Sequence, residues 1–212
     1  MTDQEFPKKI AENVTMYSAD PILYVVEDFL SNDECNAFIE ASEGKLMPST
    51  VISPNKHIQH ESRTSDNCWI EHNANDTVHE VSKRFSILVQ MPIRNAEQYQ
   101  LVYYKEGAEY KPHFDSFDYE TEDGKNNWEP GGQRMITAIA YLNDVEEGGG
   151  TGFPELGITI LPRKGDVVVF HNTLLNDAAA THPKINPRSL HGGMPVIKGE
   201  KWMVNLWFRE NL

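Results

Sequence analysis

Residues 201–208 read KWMVNLWF, and the fold turns on how that run is taken. A short run so rich in aromatic and β-branched residues suits a strand, in which side chains alternate between two faces. Lys201, Met203, Asn205 and Trp207 then share one face. If that face is the interior, a lysine lies among apolar neighbours, which is costly unless its ammonium meets an anion. Turned the other way, Lys201 is simply solvated. The strand alone does not choose.

Upstream the same pattern recurs. YQLVYYK (99–105), RMITAIAYLN (134–143), ITIL (158–161), DVVVFH (166–171) and SLHGGMPV (189–196) are short runs separated by Gly, Pro and Asn clusters. Strands punctuated in this way argue for an antiparallel barrel or double sheet, and no βαβ rhythm supports a doubly wound one. Helices come earlier. SNDE at 31–34 has the form of a capping box opening a helix to about Ser42, with Gly44 as its stop. A second helix is expected from Asp76, with Val78, Val81, Phe85 and Leu88 on one face and Pro92 ending it. The expected class is therefore mainly β with supporting helices (α+β), in one domain over residues 1–212. Residues 1–20 read as an N-terminal extension. Residues 48–75 and the acidic stretch 116–133 read as loops bordering a site.

The bulk properties narrow the classes of function. A formal net charge of −13 over 212 residues argues against a nucleic-acid partner, since phosphate binding needs clustered Lys and Arg. Two cysteines, Cys35 and Cys68, form no framework and fit a reducing compartment. The apolar runs are too short to cross a membrane, and the polar N-terminus lacks the apolar core of a secretory signal. A cytoplasmic protein is expected.

The chemistry begins at YKPHFDSF (110–117). On a strand His113 and Asp115 point the same way and offer two ligands for a divalent metal. A third must come from elsewhere, and His171, His182 and His191 are the downstream candidates. Two histidines and one carboxylate on one side of a metal leave other positions open, as in non-haem iron oxygenases. An inward Lys201 beside such a site is what a metal-bound dicarboxylate would require. The same three ligands could instead hold zinc for hydrolysis, with no role for Lys201. A non-catalytic jelly-roll binding module is the other rival.

Taken in order, these motifs resemble the prolyl 4-hydroxylase branch of the Fe(II)/2-oxoglutarate dioxygenases. The resemblance rests on H-x-D at 113–115, His191 and the lysine ten residues later. It extends through FLSNDEC (29–35), RTS (63–65), YLNDVEEGGGTGFP (141–154), PRKGDVVVF (162–170) and SLHGGMPVIKGEKW (189–202). It implies a double-stranded β-helix, or jelly roll, with N-terminal helices packed outside. It implies His113, Asp115 and His191 as iron ligands, and Lys201, Tyr104 and Thr151 around 2-oxoglutarate. Arg63, Ser65, Tyr110, Arg134 and Trp207 match the family's peptide groove. The implied reaction is 4-hydroxylation of prolyl residues in a peptide or protein, with O2 consumed, succinate and CO2 released and ascorbate keeping the iron reduced. Hydroxylation of another residue or of a free amino acid is the alternative within the family. The loops at 116–133 and 173–187 depart from the family pattern, so peptide preference does not carry over. The bare catalytic domain looks like those of bacterial, algal or viral members.

Overall fold

Along Arg134–Tyr141 the two-residue period is plain: Ile136, Ala138 and Ala140 enter one apolar core, while Ile139 and Tyr141 enter another. The architecture follows from that division. A computed structural model describes residues 5–49, 51–53, 56–58, 62–129, 131–174 and 182–211.

In chain order the elements are β1 (Lys8–Ala11), β2 (Val14–Ala19), β3 (Ile22–Val26), α1 (Asn32–Ala41), β4 (Met47–Pro48), β5 (Val51–Ser53), β6 (Lys56–Ile58) and β7 (Asp66–Ile70). Then come α2 (Asp76–Val89), β8 (Tyr99–Tyr104), β9 (Tyr110–His113), α3 (Glu122–Trp128), β10 (Arg134–Tyr141) and β11 (Glu147–Gly148). The chain ends with β12 (Thr151–Phe153), β13 (Ile158–Ile160), β14 (Val167–His171), β15 (His191–Gly193), β16 (Val196–Lys198) and β17 (Lys201–Arg209). Nine strands form the major sheet in the order β1-β2-β3-β14-β10-β17-β8-β7-β4, and four form the minor sheet β13-β12-β15-β9. The named pairs within both sheets are antiparallel. This is the double-sheet, jelly-roll architecture implied by the resemblance.

The two helices lie on the outer face of the major sheet. Cys35 and Phe38 from α1 and Val78, Val81 and Phe85 from α2 pack on Leu101, Ala138, Val169 and Leu206. The capping box of α1 is complete: Glu34 N–H donates to Ser31 Oγ, and Ser31 N–H donates to Glu34 Oε2. The second core fills the space between the sheets, with Val102, Ile139, Val168 and Phe170 facing Phe153 and Ile160.

Several expectations need correction. Residues 8–19 are no extension: β1 and β2 continue the major sheet beside β3. The wholly exposed KKIA of β1 adds nothing to the core, so no apolar alternation marks it. Within 48–75, β7 pairs with β8, its Cys68 and Ile70 buried in the helix-side core. Its other side chains are polar or exposed, which disguises a strand as a loop. The 116–133 stretch contains α3, capped by Thr121 Oγ1 accepting from Gly124 N–H. Helix α1 ends at Ala41, with Gly44 in the following turn at φ 72°. Helix α2 stops before Pro92, its end made by a left-handed Gln90 at φ 55°.

Candidate active site

The site lies between the sheets, and its first two ligands face each other by register. Strands β9 and β15 pair so that His113 sits opposite His191. Gly192 permits this closeness, since a Cβ there would lie 2.7 Å from the Tyr110 carbonyl oxygen. Asp115 lies two residues beyond the end of β9, after Phe114. His113 Nε2 lies 3.5 Å from Asp115 Oδ1, and His191 Nε2 lies 3.4 Å from Asp115 Oδ2. One ligand atom from each of the three residues lies within 4.8 Å of the others.

Both imidazoles are held in one tautomer. His113 Nδ1–H donates to the Lys111 carbonyl at 2.9 Å and His191 Nδ1–H to the Ser189 carbonyl at 3.0 Å. Carbonyls only accept, so each ring carries a proton at Nδ1 and, in its neutral form, turns a bare Nε2 lone pair inward. Burial, against the opposing pull of Asp115, lowers His191 to about 4, which keeps its ring neutral. Burial also opposes ionisation of Asp115, but His191 and His113, in their protonated forms, and Arg134 more than offset it and hold the carboxyl well below the usual range. Two bare nitrogens and a carboxylate that converge without a proton between them repel one another unless a cation joins them. The donor set of two imidazoles and one carboxylate suits Fe(II) and leaves positions for other ligands.

Deeper in the same cavity is Lys201, 1% exposed. Among the described residues its one hydrogen bond is from Nζ to the Gly149 carbonyl at 2.7 Å, with the Tyr104 and Tyr141 rings 5.5 and 5.3 Å away. Burial lowers this lysine to about 7 and raises Tyr104 to about 12. Register places Tyr104 opposite Lys201 on the neighbouring strand. Tyr103 turns outward to Glu200. Thr151 is buried with its hydroxyl 2.7 Å from that of Tyr141. These side chains surround a buried cationic group that could hold a dicarboxylate.

The cavity, about 350 Å³, opens through an aromatic mouth that includes Trp69, Tyr110, Phe114, Phe117 and Trp207. Arg63 rests on the Tyr110 ring and donates to Gln100 Oε1, and Tyr110 in turn stacks on His113 with centroids 3.6 Å apart. Arg134 lies 3.8 Å over Trp207, its guanidinium forked onto Glu97 at 2.6 and 2.7 Å. Of the groove candidates only Ser65 is not in the cavity wall. It is buried behind Arg63 and bonded to Ser49 and Arg63.

Of the other histidines weighed as third ligand, His171 ends β14 outside the cluster, and His182 stacks on Tyr119. Sequence reasoning missed Trp69, Gln100 and Tyr141. The alternation of DNCWI, with Trp69 out of phase with buried Cys68 and Ile70, would have marked Trp69 as facing something other than the core.

Residues 99–209 match the family model of the 2OG-Fe(II) oxygenase superfamily. The chain belongs to that superfamily. Membership makes Fe(II) and 2-oxoglutarate the metal and co-substrate of this oxygenase, which is a prolyl 4-hydroxylase-like catalytic domain. It is 34% identical to prolyl 4-hydroxylase 5 of Arabidopsis thaliana over 92% of this chain and 70% of that one. It is 33% identical to prolyl 4-hydroxylase 1 of the same plant, over 91% and 70% respectively. The oxygenase spans about two thirds of the length of such plant relatives, 64% in one case. Among solved structures, a viral collagen prolyl hydroxylase from Paramecium Bursaria Chlorella virus-1, in complex with 2OG, superposes with a TM-score of 0.68. The two are 29% identical, over 88% of this chain and 95% of that one.

Proposed function

We propose that this oxygenase adds a hydroxyl group at the 4-position of prolyl residues in a peptide or protein, consuming O2 and 2-oxoglutarate and releasing succinate and CO2. The observation that carries the reading is the convergence of His113, Asp115, His191 and Lys201 on one cavity with an aromatic mouth. The names of the plant and viral relatives support proline as the target.

His113 Nε2, His191 Nε2 and the Asp115 carboxylate would hold the metal from one side. Bound Fe(II) supplies the coupling between oxidation of 2-oxoglutarate by O2 and hydroxylation of a C–H bond. Lys201 would exchange its Gly149 carbonyl for a carboxylate of 2-oxoglutarate, a charge-assisted bond made by a lysine that is itself buried. Tyr104, kept as the phenol, would donate its O–H to the same carboxylate. The Tyr141–Thr151 pair lines that end of the cavity. At the mouth, Tyr110 and Trp207 would receive the proline ring, each steadied by an arginine. An extended peptide suits such a wall better than a small molecule does. Ascorbate would keep the metal reduced.

The test is mass spectrometry on proline-rich peptides incubated in air with the protein, Fe(II), 2-oxoglutarate and ascorbate. One oxygen added to proline is expected, dependent on each component and absent with His113→Ala. Succinate formed without peptide oxidation would move the substrate to another residue or a free amino acid. If neither product formed, the catalytic reading would fail.

A further inference from the structure

Behind Asp115 lies a buried polar chain that neither the metal ligands nor the peptide groove accounts for. Thr137 Oγ1 lies 2.7 Å from Asp115 Oδ2, and Asn172 Nδ2 lies 2.8 Å from Thr137 Oγ1. Thr137 and Asn172 are both 0% exposed. Direction along this chain is fixed by proton count. An ionised carboxylate only accepts, so the single hydroxyl proton of Thr137 goes to Asp115, and the threonine oxygen must accept from the Asn172 amide.

Asn172 is also tied to the segments that carry the ligands. Its backbone carbonyl accepts from Ser116 Oγ at 3.2 Å and from Asn186 N–H at 2.9 Å, and the Asn186 carbonyl in turn holds Ser189, accepting from its hydroxyl at 2.8 Å and its N–H at 2.9 Å. Ser116 adjoins Asp115, and the Ser189 carbonyl is the one that fixes the His191 tautomer. One residue therefore braces Asp115 through its side chain and both ligand-bearing segments through its backbone. The side-chain oxygen of Asn172, meanwhile, is buried and has no hydrogen-bond partner among the described residues. A position serving packing alone would take an apolar residue, because an amide half-satisfied in the interior is unfavourable. The asparagine is explained by what its Nδ2 does.

We infer that Thr137 and Asn172 are positioning residues which, by occupying Asp115 Oδ2, fix this carboxylate as a one-oxygen metal ligand through Oδ1. An oxygen that already accepts a strong O–H bond is the weaker donor to a cation, and Oδ1 takes no hydroxyl or amide among the described residues. Thr137 is on β10 directly opposite Phe170 of β14 and Trp207 of β17, in the middle of the major sheet. The brace is thus anchored on the central strand of the nine, paired on both sides, whereas Asp115 itself follows a strand end. The inference rests on His113, Asp115 and His191 being the metal ligands.

The test is titration of the metal-free protein with Co(II), read by its visible absorption and by affinity, with no turnover involved. Thr137→Val keeps the shape and removes the hydroxyl. It is expected to weaken Co(II) binding by about 10- to 100-fold, the usual effect of losing a ligand's hydrogen-bond partner. The Co(II) spectrum should change as Oδ2 becomes free to bind. Thr137→Ser should restore both affinity and spectrum, which a purely packing role would not allow. Asn172→Ala, which leaves the threonine hydroxyl in place, should give a smaller loss in the same direction and serves if the valine variant does not fold. Wild-type affinity and spectrum in a folded Thr137→Val or Asn172→Ala protein would overturn the inference while leaving the ligand set intact. No Co(II) binding by the wild type would overturn both.

Discussion

Lys201 is the residue whose chemistry is most sensitive to conditions. Burial brings it to about 7 from the ordinary 10.5, so without an anion it loses its proton near neutrality. A folded-state pKa below the unfolded one means that the unfolded chain holds more protons between pH 7 and 10.5, so stability attributable to this group rises with pH across that window. Co-substrate binding runs the other way, because the carboxylate needs the ammonium. Above about pH 7 the affinity for 2-oxoglutarate should fall, by up to about tenfold per pH unit, and binding should take up a proton. Calorimetry with Mn(II) in place of iron, in buffers of different ionisation enthalpy, reads this directly; a flat affinity between about pH 7 and 9 with no proton uptake would remove Lys201 from the co-substrate site. Lys201→Ala should weaken 2-oxoglutarate about 10- to 150-fold, the equivalent of about 1.5–3 kcal/mol for one charge-assisted bond, and abolish the pH dependence. Sequence pattern alone placed Lys201, Met203, Asn205 and Trp207 on one face, and all four line the cavity. Thr137 and Asn172 were invisible to it, since one threonine inside an apolar strand and one asparagine after another carry no spacing that marks them.

At the level of elements, the pairing of β9 with β15 brings the two histidines together. Gly192 should be the sensitive point. A methyl group there would meet the Tyr110 carbonyl oxygen at 2.7 Å and the Pro112 nitrogen at 3.0 Å, both backbone atoms that cannot yield without parting the strands. At Gly193 the nearest atom is the Tyr104 hydroxyl at 3.4 Å, an ordinary contact. Gly192→Ala is therefore expected to cost about tenfold or more in Co(II) affinity, whereas Gly193→Ala should keep the metal and weaken 2-oxoglutarate instead. Equal metal affinities in the two variants would show that the register does not depend on that glycine. Strands with two apolar faces, such as β10 and β14, announce themselves because both faces are buried. Strands β1 and β7 do not, because one is wholly exposed and the other turns a tryptophan to the cavity mouth. Helix α3 escapes notice because only Gly124 and Trp128 of its seven residues are buried.

Across the whole molecule, the major sheet separates two jobs. One side carries the helices and the larger core, the other the site. Phe85 is fully buried on the helix side, 4.8 Å from the Phe29 ring. Phe85→Ala should destabilise the fold by about 3–5 kcal/mol, measured by denaturant unfolding, with Co(II) affinity of the folded fraction unchanged. Ligands on the other side should stabilise the whole. At about 100 times their dissociation constants, Mn(II) and 2-oxoglutarate together should add at least about 2.7 kcal/mol. For a chain of this size that corresponds to a rise in Tm of about 5–11 °C, absent with His113→Ala. No rise would mean that the cavity does not hold them. An antiparallel barrel or double sheet was legible from the order of short strands, and a pair of ligands from His-x-Asp; the jelly roll and the choice of His191 over His171 and His182 came with the family resemblance. The closed geometry was not legible, because strand pairing joins residues as far apart as His113 and His191.

Strand β17 carries at one end the lysine at the depth of the cavity and at the other the tryptophan at its mouth, on the same face. Five residues lie between them, and the six steps of strand make a ruler of about 20 Å. Inserting or deleting one residue anywhere between would turn one of the two out of the cavity. Evolution can therefore exchange side chains along this strand but not change its length, and it must seek new substrates elsewhere. Anyone recruiting the scaffold to hydroxylate a different target should diversify the segments around the opening and leave the ruler untouched.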